Sequence, residues 1–103
     1  MIYELRTYTV LPRKMQACVD AAEKLRPCFE RNGVKVVGYW TTLIGRSECF
    51  YYLCQFENLA AREEAFEKAS KDPELRKYIE EHDPMCQYED NVILKPTSYS
   101  PMQ

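Results

Sequence analysis

Between Val10 and Met15 the apolar pattern of this chain changes its period. From Ile2 to Val10 the residues alternate. Tyr3, Leu5, Thr7 and Thr9 fall on one side of an extended chain, and Ile2, Glu4, Arg6, Tyr8 and Val10 fall on the other. From Met15 the apolar positions Cys18, Val19, Ala22, Leu25 and Phe29 recur every three or four residues. The first spacing is that of a strand, and the second is that of a helix with one buried stripe. Leu11-Pro12 separates the two and Asn32-Gly33 closes the helix. Pro27 lies inside the helical pattern and predicts a kink there, or a last turn split from the rest, because its ring clashes with the preceding turn.

The same reasoning carries along the remainder. Val34 to Leu43, with VVGYWTT at its centre, is rich in β-branched and aromatic residues and predicts a strand, with Gly45 in the following turn. Glu48 to Phe56 predicts the partner strand. Asn58 is a good N-cap for a helix carrying Leu59, Ala65, Phe66 and Ala69. Lys71-Asp72-Pro73-Glu74 restarts a helix, with Asp at the cap and Pro at the first helical position. Asp83-Pro84 ends it, and Met85 to Leu94 predicts a last strand before the tail KPTSYSPMQ.

The order is β-α-β-β-α-β with the second helix in two pieces. It predicts one α+β, ferredoxin-like domain over residues 1–103, in which helices cover one face of a four-stranded antiparallel sheet. The other face is left bare, and the expectation is that residues such as Tyr39, Trp40 or Tyr52 lie on it. Exposing such groups forfeits roughly 1.5 to 3 kcal/mol each. A second copy meeting the first sheet to sheet, as a homodimer enclosing a shared interior, is the simplest cover. By plain alternation Val37, Tyr39 and Thr41 share one face of their strand, and Val36, Gly38, Trp40 and Thr42 the other.

Totals exclude several functions. With 14 basic against 16 acidic residues there is no broad electrostatic basis for binding nucleic acid. No apolar run approaches the length of about 20 residues that a membrane span needs, and the N-terminus lacks the plan of a signal peptide. Five cysteines, Cys18, Cys28, Cys49, Cys54 and Cys86, without CxxC spacing and with one histidine, fit no zinc pattern. They predict reduced thiols in a reducing, cytoplasmic compartment. No P-loop, GxGxxG, HExxH or GxSxG motif is present, so neither a metal nor a cofactor is expected.

YELRTYTVLPRKM, VVGYWTTLIG, FENLAAREEAF and ILKPTSYSP, in this order from Ile2 to Pro101, together resemble the NIPSNAP family. The resemblance implies a dimeric α+β barrel. That group includes small cofactor-independent monooxygenases, haem-binding enzymes and proteins that hold hydrophobic compounds between sheet and helices. NIPSNAP members themselves have no settled activity. Animal members are mitochondrial and carry an N-terminal extension that is not seen here, which leaves a mitochondrial location as the alternative. Where the family's third strand ends near His-Leu-Trp, this chain has Tyr52, Leu53 and Cys54. Any task of that histidine is then lost, or falls to the Tyr52 phenol.

The candidate site follows from shared strand faces. Glu4, Arg6 and Tyr8 form one row, in which Arg6 either orients an anionic or carbonyl group or serves a structural ion pair with Glu4. Tyr39, Trp40, Thr42, Tyr52 and Cys54 are the apolar and hydroxyl lining expected of a site for a small hydrophobic or aromatic ligand, and equally of an ordinary core. Gln87 and Glu89 add polar anchors or face solvent. His82, at a helix end, is expected to be solvated. Two functions remain open: a dimeric binding protein, or a cofactor-independent monooxygenase or isomerase with a base drawn from Glu4, Tyr52, Glu89 or His82.

Overall fold

A computed structural model describes residues 1–45 and 47–103. Strand β1 spans Ile2–Val10, helix α1 Met15–Arg31, β2 Lys35–Thr41, β3 Cys49–Phe56, α2 Leu59–Ser70, α3 Pro73–Glu81 and β4 Cys86–Leu94. The four strands form one antiparallel sheet in the order β2-β3-β1-β4. This is the split βαβ arrangement predicted from the sequence, with all three helices on one face.

The helix ends follow local chemistry. Asn58 Oδ1 accepts the Ala61 N–H at 2.8 Å and starts α2. Asp72 Oδ1 accepts the Glu74 N–H at 3.0 Å and starts α3 with Pro73 at its first position. At the end of α1, Gly33 takes φ of 93°, and the Val34 N–H returns to the Phe29 carbonyl at 2.9 Å. Glycine takes this left-handed conformation without the steric cost that a Cβ brings. Pro27 does not split α1, contrary to expectation. The helix runs unbroken through it. The Pro27 penalty of about 3 kcal/mol is offset by the Leu25, Cys28 and Phe29 stripe, which faces the sheet and α3.

The faces of the sheet differ from the expected sorting at two bulges. In β2, Val36 pairs with Cys54 and Gly38 with Leu53, so Val37 is an extra residue. Val36 and Tyr39 therefore share the helix side, and Trp40 takes the bare side with Gly38. Simple alternation had put Val36 with Trp40 and left Tyr39 and Tyr52 eligible for the bare side. Both tyrosines instead lie under the helices. In β4, Tyr88 pairs with Thr9 and Cys86 with Val10, which makes Gln87 the extra residue there. Gln87 is exposed, and as the extra residue it falls outside the strict two-residue spacing that grouped it with Glu89.

The core between sheet and α2 is built from Val34, Cys54, Phe56 and Ala65, with Ile2, Phe29 and Phe66 packed against it. On the opposite side of the sheet Trp40 is 52% exposed, Tyr88 67% and Val92 51%. That side is not wholly bare. The Tyr3 hydroxyl donates to the Gln103 carbonyl at 2.6 Å and accepts from the Gln55 amide, so the end of the chain packs over the start of β1 and buries Tyr3.

Candidate functional site

A chamber of about 490 Å³ lies between the sheet and helices α1 and α3. The strands supply Tyr8, Val36, Tyr39, Phe50 and Tyr52 as its floor. Helix α1 supplies Cys18, Ala22 and Leu25, and α3 supplies Leu75, Tyr78 and Ile79 as its walls. His82, Pro84, Met85 and Cys86 stand where α3 runs into β4. The small side chains of Ala21 and Ala22 face this space, so α1 does not fill it. The chamber is thus formed within one copy of the chain, on the helix side of the sheet, and not by two sheets facing one another across a dimer.

Four rings make the floor. Tyr8 and Tyr52 are stacked with centroids 5.6 Å apart, and Tyr39 lies 5.8 Å from Tyr52 and 6.1 Å from Phe50. Aromatic pairs at these separations favour offset and tilted geometries. The Tyr8 and Tyr52 hydroxyls are 2.9 Å apart. Burial raises the pKa of both phenols above the ordinary tyrosine value, and for Tyr52 the neighbouring Tyr8 adds to the rise. Both therefore stay neutral near pH 7.

Behind these rings, beneath α2, is a charged cluster. The Glu4 carboxylate has no exposure. It accepts from Arg6 Nη1 at 2.9 Å, from Arg62 Nη2 at 3.2 Å and from Arg62 Nε. Arg6 also donates through Nη2 to Glu89 at 2.5 Å and through Nε to the Tyr8 hydroxyl at 3.1 Å. Its guanidinium is 5.0 Å from the Phe66 ring centroid and 5.7 Å from that of Tyr52. Burial alone would lower the Arg6 pKa, but Tyr52, Tyr8 and Glu4 outweigh it and hold it above the ordinary value. Arg6 is thereby fixed as a cation at the back of the aromatic floor.

The candidates from the sequence divide accordingly. Tyr8, Tyr39 and Tyr52 line the chamber. Glu4, Arg6 and Glu89 form the cluster behind it and are absent from its lining. Cys54 is fully buried under α2, where burial, then the Glu4 charge, pushes its thiol up to about 12. Trp40 lies across Gly38 on the other face of the sheet, and the Thr42 hydroxyl is bound to the Cys49 backbone just beyond β2. Neither lines the chamber, and nor does Gln87. The sequence reading missed the walls. Leu25, Leu75 and Ile79 carry the ordinary signal of core stripe. His82, expected to be solvated, is exposed, but its ring stacks on Tyr78 at 3.8 Å and stands at the edge of the chamber.

These features define an α+β protein of ferredoxin-like topology with an apolar chamber between sheet and helices. Residues 3–101 match the NIPSNAP family, and the chain belongs to that family. It is similar to a protein of known structure from Agrobacterium tumefaciens, with 24% identity, a TM-score of 0.91 and 100% of both chains covered. A NIPSNAP family protein from the same species gives 24% identity and a TM-score of 0.91, with 99% of this chain and 98% of that one covered. A monooxygenase of Streptomyces coelicolor in complex with the ligand nanaomycin D shares the fold at 14% identity and a TM-score of 0.66, covering 99% and 92%. No curated protein sequence matches the chain. Among the described residues no helix is long and apolar enough to cross a membrane.

Proposed function

We propose that this NIPSNAP protein is a binding protein for a small, largely apolar molecule, aromatic in type, held between the sheet and helices α1 and α3. The observation that carries this reading is the chamber itself. Its volume of about 490 Å³ is within the range of small-molecule sites, and its lining is dominated by aliphatic and aromatic side chains with a few polar groups. A space of this size lined by apolar groups forgoes contacts that a filled core would make, so a ligand has stabilisation to gain by entering.

The fold shared with a monooxygenase supports an enzymatic alternative, cofactor-independent oxygenation or isomerisation. The position of the acidic groups weighs against it. Glu4 is occupied by two arginines, Glu89 is bound to Arg6, and neither lines the chamber. A base must be within hydrogen-bond reach of the proton it takes. Of the candidate bases named from the sequence, Tyr52 and His82 do line the chamber, but burial holds the Tyr52 phenol neutral, which leaves His82, with Asp83 beside it, for that task.

The test uses the neutral fluorescent probe N-phenyl-1-naphthylamine. Micromolar binding to the wild type, and its loss in Ala22→Trp, which fills the chamber from α1, is the expected result. Absence of binding to the folded wild type overturns the reading.

The partner on the far face is a second copy of the chain. Trp40, Tyr88, Val92 and Leu94 lie there with large exposures, and Leu5 and Leu53 are half-buried between them. Sedimentation at micromolar concentration is expected to give the mass of a dimer, and Leu53→Glu that of a monomer. A wild-type monomer refutes this part alone. The five free cysteines support a reducing compartment such as the cytoplasm.

A further inference from the structure

The hydrogens of the Tyr8 and Tyr52 pair can be counted. Arg6 Nε–H donates to the Tyr8 oxygen at 3.1 Å. One phenol hydrogen is spent in the 2.9 Å contact between the two hydroxyls. If Tyr8 donates to Tyr52, the Tyr52 O–H is left over. If Tyr52 donates to Tyr8, both lone pairs of the Tyr8 oxygen are filled and the Tyr8 O–H is left over. In both arrangements one hydrogen remains without an acceptor among the described residues, and both tyrosines lie in the wall of the chamber. In the first arrangement the chain runs from guanidinium to phenol to phenol, and each bond polarises the next.

We propose that the chamber selects apolar ring compounds bearing a neutral carbonyl oxygen, which accepts the one phenol hydrogen that Tyr8 and Tyr52 leave unspent, with Arg6 as the positioning residue behind them. This rests on the ligand reading given above and narrows it to a chemical class. The oxygen is neutral for a specific reason. Among the described residues no Lys or Arg lines the chamber, and Arg6 is tethered behind the floor by Glu4 and Glu89. A carboxylate reaching the two phenols would lose its water there without a described Lys or Arg side chain free to pair with it, which costs several kcal/mol. A ketone loses less and gains a donor already oriented by the arginine. The cluster of Glu4, Arg6, Arg62 and Glu89 carries two charges of each sign. It therefore orients the phenols without giving the chamber a net charge.

Equilibrium dialysis against three compounds of similar size tests this: 2-acetylnaphthalene, its hydrocarbon counterpart 2-isopropenylnaphthalene, and 2-naphthoate. The ketone is expected to bind about three- to tenfold more tightly than the hydrocarbon, the ratio that one hydrogen bond provides. The carboxylate is expected to bind most weakly of the three. Tyr8→Phe/Tyr52→Phe, which removes both hydroxyls, should bring the ketone-to-hydrocarbon ratio close to one while leaving hydrocarbon affinity within a factor of about two, whereas Tyr52→Phe alone keeps the Tyr8 hydrogen and should retain part of the preference. Tyr8→Phe cuts the link to Arg6 but keeps the Tyr52 hydroxyl, and should leave a reduced preference. Equal affinity of ketone and hydrocarbon in the wild type overturns this inference and leaves the apolar chamber standing. If neither compound binds, the ligand reading and this inference fall together. Tightest binding by 2-naphthoate overturns the selection for a neutral oxygen.

Discussion

The buried Glu4 carboxylate invites a decisive perturbation, Arg62→Met. Glu4 has no exposure, and two of its three hydrogen bonds come from Arg62, whose side chain is 30% exposed. Removing that side chain leaves one arginine bond on a carboxylate that water does not reach. Each charge-assisted hydrogen bond contributes about 1.5 to 3 kcal/mol, and stripping one partner from a buried ion pair costs about 3 to 5 kcal/mol. Arg6 remains 2.9 Å away and retains part of the compensation, so the lower end of that range, about 3 kcal/mol, is expected. Urea unfolding followed by circular dichroism, at fixed protein concentration, measures it. The double variant Glu4→Met/Arg62→Met supplies the discriminating result. It removes the carboxylate along with its partner, and a charge pair replaced by apolar side chains of similar volume is often neutral or better. The double variant should therefore be more stable than Arg62→Met alone. A loss below about 1 kcal/mol for Arg62→Met would place the pair among solvent-screened surface contacts. A double variant weaker than the single one would show that Glu4 stabilises through packing and not through its partners. Either result refutes the reasoning.

Further expectations follow from other parts of the molecule. Asp72 accepts from Arg31 and Asn32, which together hold its carboxyl well below the ordinary range. A depressed folded-state pKa contributes stability that is complete above the unfolded value near about 4 and is lost as pH falls below it. Asp72→Asn should therefore flatten the stability profile between about pH 5 and pH 2, and an unchanged acid limb would count against the cap cluster as an acid-sensitive clasp. Cys28 and Cys54 have no exposure, so iodoacetamide at pH 8 should leave both intact in the native protein and label all five cysteines in urea; fast native labelling of Cys54 would contradict its place under α2. A Cβ at Gly38 would lie 2.3 Å from the Trp40 ring. Gly38→Ala should then displace the chain's single tryptophan and shift its fluorescence, at a cost of about 1 to 3 kcal/mol, while an unchanged spectrum would mean that the ring does not rest there.

Most of the fold was legible because its signals are local. A change from two-residue to three- and four-residue spacing, Asn58 before an apolar helix, and Asp72-Pro73 at a restart each act within a few residues of themselves. The parts that were not legible depend on residues far apart in sequence. Glu4 and Arg6 are visible as neighbours on a strand, but their third partner, Arg62, comes from α2 and decides that Glu4 is buried and occupied. The chamber walls were invisible for a different reason. Leu25, Leu75 and Ile79 show the periodicity that any packed helix shows, and the gap they leave depends on where α1 and α3 rest on the sheet. The shape of that gap is a tertiary quantity that spacing does not encode. His82 illustrates both points. Its position at a helix end suggests solvent, and it is exposed, yet its stack on Tyr78 places it at the chamber edge.

The bulge at Val37 connects these levels. A strand has strict two-residue parity, so one extra residue exchanges the faces of everything on one side of it. Without the bulge, Val36 and Trp40 would share a face with each other and not with Tyr39. With it, Val36 and Tyr39 both join the floor of the chamber, where Tyr39 sits within 6.1 Å of both Phe50 and Tyr52. Trp40 is sent to the opposite surface and rests on Gly38, whose lack of a side chain admits the ring. The largest apolar side chain in the chain is thus withheld from the chamber, which stays open, and is added to the outer face, where it enlarges the surface offered to a second copy. An insertion of one residue therefore bears on both properties at once, the space on one side of the sheet and the apolar surface on the other. The stretch VVGYWTT is accordingly neither core strand nor pocket wall alone: its alternate members, shifted by one at Val37, serve the two faces separately.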